Sequence, residues 1–302
     1  MSDFLEIVKE SYVGYWSYLK HEILNFSWHN YFYLLIFLSV LVYTLEIIFP
    51  WRKDQPRIRK DFWLDMFYMF FNFFLFSLVV YNAFSNVFVN LFNDFLGSIG
   101  IENIIAINVA SMPAWSQYLL LFVLADFIQW CTHVLFHRVP ALWEFHKVHH
   151  SVEQMGFAAH LRFHWFETIL YKTIQYIPLS MIGFGLDDFF IVHATAIAIG
   201  HLNHANLYIP MGPLKYIFNN PQMHIWHHAY EMPKHLPYGI NFGLSLSIWD
   251  YLFNRAYIPH DGKDIRLGFK EIEKYPGGFF SQMLEPFLAR QKALRWRGRK
   301  KS

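Results

Sequence analysis

The sequence predicts an all-α fold: a polytopic integral membrane helical bundle with a histidine-lined site facing the cytoplasm. Three observations predict it. The 302-residue chain is 55% hydrophobic and 21% aromatic but only 16% charged, where a soluble domain carries roughly a quarter charged residues. Apolar runs about as long as a bilayer is thick alternate with short polar loops. Histidines recur three and four residues apart, a spacing that puts them on one face of a helix. The 33 Phe and 11 Trp exceed what a soluble protein of this length needs to bury, and a bilayer is their natural solvent.

The elements follow in order. Residues 1–30 mix Phe4, Tyr12, Tyr15, Trp16 and Tyr18 with Glu6, Lys9 and Glu10, which predicts a helix lying at the membrane interface. The first 28 residues carry acids and lack an early apolar core, so no cleavable signal peptide is expected. Residues 31–137 hold the spans. Tyr31 to Pro50 is the first, and at about 1.5 Å per residue it is long enough for the hydrocarbon layer. Arg52, Lys53, Arg57, Arg59 and Lys60 follow in a basic loop. A second span runs from Phe62 to about Tyr81, with Asp65 near its start and Asn72 inside. Residues 85–116 contain no Lys or Arg, and the third span runs from Gln117 to His137. The positive-inside rule puts the 51–60 loop in the cytoplasm and the 85–116 loop outside, so His133 and His137 emerge on the cytoplasmic face. That membrane is a prokaryotic inner membrane or an endoplasmic reticulum.

Two apolar pieces, 169–182 and 189–200, flank the turn GFGLDD and are interrupted by Lys172, Pro178 and His193. They predict a tilted or re-entrant helical hairpin that returns His201 and His204 to the cytoplasmic face. Asn220 suits an N-cap and Pro221 the first helical position, so a helix should start there. Gly239 to Phe253 reads as a short interfacial or packing helix. Residues 258–302 form a basic cytoplasmic tail, whose run from Arg290 to Lys301 either grips anionic headgroups or is simply solvated. No repeat or low-complexity linker divides the chain. The single cysteine, Cys131, excludes an internal disulfide and any cysteine-based zinc or iron–sulfur site.

Five clusters hold 12 of the 17 histidines: His133 and His137; His146, His149 and His150; His160 and His164; His201 and His204; His224, His227 and His228. One structural zinc takes about four ligands and leaves no use for so many, so convergence of eight or more imidazoles implies two metals. Imidazole alone does not identify the ion, and the HExxH pattern of metalloproteases is absent. His160, His164, His201 and His204 read either as ligands or as hydrogen-bonding supports behind them. His21, His29, His193, His235 and His260 read as ordinary satisfied histidines. Asp126, seven residues before His133, lies on the same helical face inside a span, where an ionisable group signals function. It reads as an acceptor for a ligand histidine or a buried water, or else as a partner for Asn72. Asp250 orients another ligand from below or is an exposed cap.

HVLFH, then eight residues, HKVHH, and the distant HIWHH resemble the eight-histidine signature of the fatty acid hydroxylase/sterol desaturase superfamily. The resemblance covers about residues 125–257, including NFGLSLSIWDYLF, and places Asp126 where the family commonly has an Asp. Val134 departs from the pattern, since many members have Arg there. The spacing of the boxes and HANL at His204 resemble the bacterial sterol-desaturase-like and alkylglycerol monooxygenase-like branch. The resemblance implies a catalytic domain over 125–257 and a centre of two non-haem irons that uses oxygen to hydroxylate or desaturate a sterol, fatty-acyl or ether lipid. Neither GxGxxG nor CxxCH occurs, so electrons must come from a separate cytochrome or ferredoxin, or from tetrahydrobiopterin if the chemistry is ether cleavage. Two other classes compete with it. A b-type cytochrome needs one or two histidines deep in a span, and a metal transporter needs charges along several spans near the midplane, where only Asp126 qualifies.

Overall fold

A computed structural model describes residues 2–27, 30–75, 97–100, 109–182, 184 and 186–299. Asn30 sets the entry to the first apolar helix. Its Oδ1 accepts from the Tyr33 backbone N–H at 3.1 Å, while its Nδ2 donates to the Glu22 carbonyl at 2.7 Å. One side chain thus caps α2 (Tyr31–Ile48) and ties it to the end of α1 (Ser2–Leu24). Among the described residues α2 and α4 (Ala114–Arg138) are the two helices long and apolar enough to cross a membrane. Both keep large apolar side chains exposed, Phe37, Val40 and Leu41 on α2 and Trp115, Leu119 and Leu135 on α4.

The expected span at 62–81 begins as α3 (Phe62–Phe70) and continues as a π-helical turn, Phe71–Leu75. Its remainder lies outside the described residues, as do His29, most of the 85–116 loop and the side chains of the terminal basic run. A single residue, Val139, joins α4 to α5 (Pro140–His150), with Pro140 at the first helical position. The predicted hairpin consists of α6 (Trp165–Ile182) and α7 (Leu186–His204), both packed against α4. Lys172 and His193 sit within these helices rather than ending them, and α7 extends to His204. As expected, α8 (Pro221–His227) is capped by Asn220, whose Oδ1 accepts from Met223 N–H at 2.9 Å.

The stretch 239–253 differs from the expected helix. Only α9 (Ile248–Leu252) is helical, and the rest is irregular, with Asn241 left-handed at φ 51°. Side chains satisfy its backbone instead. Asp250 accepts from Phe242 and Gly243 N–H at 2.9 and 2.8 Å, Asn203 donates to the Leu244 carbonyl, and Asn219 to that of Gly243. The basic 51–60 loop is also less solvated than its charges suggest. Arg59 is buried on Asp65 at 2.5 Å, and Asp65 takes a second bond from fully buried Arg162 at 2.8 Å. These bonds fasten α3 to the 157–161 turn that underlies the histidines. The last described helix is α10 (Phe279–Arg299), and the described residues form isolated bridges but no strands.

Candidate metal centre

Four helices bring nine imidazoles together. From α4 come His133 and His137, from α5 His146, His149 and His150, and from α7 its last residue, His204. His224 and His227 come from α8, with His228 at its C-cap. The three-and-four spacing does locally what it promised, because residues one turn apart share a face. The nine divide into two groups, His133, His137, His146, His150 and His227 in one, and His149, His204, His224 and His228 in the other. Within each group the offered nitrogens lie within 4.8 Å of one another. The groups share a wall, since the His150 and His228 rings stack 4.5 Å apart and the His227 and His228 rings are 5.1 Å apart. His146, His149 and His150, adjacent in sequence, are therefore split between the groups.

Outer partners fix which nitrogen faces the cage. The Nδ1 of His133 lies 2.8 Å from the Phe242 carbonyl, that of His227 2.8 Å from Ile240, and that of His204 2.8 Å from Gly200. A carbonyl only accepts, so each Nδ1 donates and each Nε2 presents a lone pair inward. His146 does the same toward Glu167, with Nδ1 2.6 Å from Oε1. Inside the cage, Nε2 pairs lie 3.1 Å apart at His133–His146 and at His137–His150, 3.3 Å at His149–His204 and 3.0 Å at His204–His224. Two nitrogens each about 2.1 Å from one ion at a right angle stand roughly 3 Å apart. Burial, reinforced by neighbouring imidazoles, holds His146, His149, His150, His224, His227 and His228 well below the usual histidine range. They stay neutral at pH 7, the form that ligates.

Several buried nitrogens have no partner among the described residues, namely His149 Nδ1, His224 Nδ1, His227 Nε2 and both nitrogens of His228. Unpaired buried polar atoms are costly and call for a partner. The two groups fit a pair of metal ions.

His160, His164 and His201 fall outside both groups. His160 and His201 share a 3.0 Å Nδ1–Nδ1 contact, and His201 Nε2 reaches Ser39 Oγ at 3.3 Å. Both sit behind the second group, with the His160 ring 5.3 Å from that of His204. A Cβ on Gly200 would strike the His160 imidazole, so this helix position has to be glycine for His160 to lie so close. His164 uses both ring nitrogens elsewhere, accepting from Phe166 N–H and donating to the Met283 carbonyl, each at 3.0 Å.

The two aspartates act on the loop under the cage rather than on a ligand directly. Asp126 accepts from Ser245 N–H at 3.0 Å, Leu246 N–H at 3.3 Å and Trp249 Nε1 at 2.9 Å. No ligand histidine is among these partners, and Asn72 donates instead to the Leu161 and Phe163 carbonyls. Asp250 holds Phe242, whose carbonyl in turn holds His133, so it orients that ligand through one intervening residue. Glu167 went unnoticed in the sequence, although a lone acid at the start of an apolar helix was the available signal.

Residues 118–255 match the fatty acid hydroxylase family. The chain is 35% identical over 175 residues to ornithine lipid hydroxylase OlsE of Rhizobium tropici, covering 58% of this chain and 51% of that protein. It is 32% identical over 148 residues to the alkylglycerol monooxygenase of Caenorhabditis elegans, covering 46% of this chain and 26% of that one. With the Xenopus tropicalis alkylglycerol monooxygenase it shares 29% over 153 residues, 49% of this chain and 32% of that one. The chain thus spans about half the length of the first relative and less of the others. No solved structure matches. The histidine boxes lie inside this matched segment and fold into one cage, so the similarity to the fatty acid hydroxylase family extends to the residues that build the site.

Proposed function

We propose that the protein is a membrane-embedded, non-haem di-iron, oxygen-dependent oxidoreductase that hydroxylates or desaturates a lipid with electrons from an external donor. The observation that carries this reading is the pair of buried histidine groups sharing one wall. One iron is held by His133, His137, His146, His150 and His227, the other by His149, His204, His224 and His228. Once bound, the irons supply the activation of oxygen and the oxidation of a C–H bond. The chain supplies the rest. The carbonyls of Phe242, Ile240 and Gly200 and the Glu167 carboxylate hold four rings in the ligating tautomer. Burial of the imidazoles excludes water from the cage and keeps them unprotonated. His160 and His201 support His204 from behind, Asp126 and Asp250 position the loop beneath the cage, and His164 anchors α10. The cage faces the cytoplasm, residues 1–30 lie at the interface and the terminal basic run faces anionic headgroups.

The OlsE relative is named for an ornithine lipid, which supports a polar-headgroup lipid as substrate. A second reading, pterin-dependent cleavage of an ether lipid, is favoured by the matches to alkylglycerol monooxygenases. Purified protein is expected to hold two irons per chain. His149→Ala or His227→Ala is expected to abolish turnover while leaving helicity by circular dichroism intact. Full activity in an iron-free preparation sinks the proposal. Lipidomics of cells with and without the gene identifies the substrate, and a requirement for tetrahydrobiopterin separates ether cleavage from the other reactions.

A further inference from the structure

The segment from Gly239 to Phe253 runs down α4 and back up. A Cβ on Gly239 would lie 3.0 Å from His137 Nδ1, and the Phe242 ring packs on His133 and His137. Ser245, Leu246 and Trp249 then bond Asp126, and the Trp249 ring lies 4.8 Å from Phe127. The chain climbs again to Trp130, which packs on Phe253 and donates to Asp250, and Asn241 N–H finally bonds the Arg255 carbonyl. From the level of His137 to that of Asp126 is eleven residues of helix, about 16 Å. A second loop hangs from the lowest point. Asn219 N–H bonds the Ser245 carbonyl, Ser247 N–H the Ile217 carbonyl, and Ser247 Oγ the Lys215 carbonyl.

Two features of this double loop point the same way. Its outer surface is apolar, with Leu214, Tyr216, Ile217, Leu252 and Phe253 all between 44% and 62% exposed. Lys215 is the one exposed charge on either loop, and its long stem can carry the ammonium to the interface. The irregular backbone is nevertheless satisfied from inside by Asp126, Asp250, Asn203 and Asn219. Water would satisfy such groups at no cost. Hydrocarbon cannot, and non-helical backbone at membrane depth persists only where protein supplies every partner. The level also fits. The outward face of α4 is apolar from Trp115 to Leu135, about 30 Å of helix, and Asp126 lies between them.

We infer that residues 212–218 and 244–253 form a re-entrant element embedded in the hydrocarbon of the cytoplasmic leaflet, where it floors the histidine cage. Asp126 is a backbone cap for this element, which accounts for a carboxylate within a span. The inference rests on the reading that α4 crosses a bilayer, and the test separates the two. In a Cys131→Ser background, Leu119→Cys on α4, Leu214→Cys, Leu252→Cys and Lys274→Cys are each spin-labelled in the full-length protein. The variants are reconstituted into vesicles of phosphatidylcholine and phosphatidylglycerol. Collision with oxygen, which concentrates in hydrocarbon, is compared with collision with a water-soluble nickel chelate. Labels at 214 and 252 are expected to favour oxygen as the label at 119 does, with the preference reversed at the exposed 274 position. Chelate-accessible labels at 214 and 252 beside a protected label at 119 overturn the re-entrant element alone. Chelate access at 119 as well overturns the span and the element together.

Discussion

The two histidine groups are built from the same residue and share a wall, yet the protein holds them differently. In the first, His133, His146 and His227 are each pinned from outside by a carbonyl or a carboxylate. In the second, among the described residues, only His204 is pinned, to the Gly200 carbonyl. Among the described residues, His149 and His224 Nδ1 find no partner, and His228 finds none at either nitrogen. Outer hydrogen bonds orient a ligand and raise its basicity. The first group is therefore preorganised by the protein, and the second depends on its ion to be ordered. Removing metal should disorganise the second group first.

The largest effect expected from this difference is with acid. Burial holds His146, His149, His150, His224, His227 and His228 below their ordinary value. The unfolded chain then binds protons that the folded chain refuses, beginning near pH 6.5. Stability of the metal-free protein is full above that pH and falls as pH drops below it. The loss is up to about 1.4 kcal/mol per pH unit for each imidazole kept neutral. Thermal melts in detergent between pH 8 and 5 check the sign. Metal analysis along the same acidification of loaded protein should show iron leaving in two steps, and a single step removes the distinction between the groups.

Next in size is Glu167→Ala, which unpins His146 in the first group alone. Loss of such an outer partner costs roughly 10- to 100-fold in metal affinity. Competition with a chelator should show one of two irons weakened, and equal weakening of both contradicts the division. The smallest effect belongs to Gly200→Ala. Its methyl displaces His160 and loads the end of α7 that carries His204. Overpacking of this kind costs about 1–3 kcal/mol of stability, with a smaller loss of iron confined to the second group. A lowered Tm with first-group iron retained is the expected result.

What the sequence disclosed was whatever repeats within a helical turn. The boxes at His133, His146 and His224, the Asn220–Pro221 start of α8 and the apolar runs of α2 and α4 are all local patterns. Hidden from it was everything that depends on partners far along the chain. Asp126 bonds residues about 120 positions downstream, and Glu167 holds a histidine 21 positions upstream. Periodicity does not register either contact. The reading of 239–253 as a helix failed for the same reason, because distant Asn and Asp side chains outcompete the helical bonds its apolar pattern favours. His160, His164 and His201 have the spacing of ligands, and only their neighbours separate them from the cage.

The buried Arg59–Asp65–Arg162 cluster bears on how the chain is made. Arg59 precedes Asp65 by six residues, close enough to pair as soon as both leave the ribosome, whereas Arg162 is translated 97 residues after Asp65. At about 5–20 residues per second that interval is roughly 5–20 s. Throughout it the Asp65 carboxylate has one local counterion and lacks its second. The nascent amino-terminal half therefore carries an unfinished junction, and the arrival of Arg162 both completes it and docks the turn on which the later histidines are assembled.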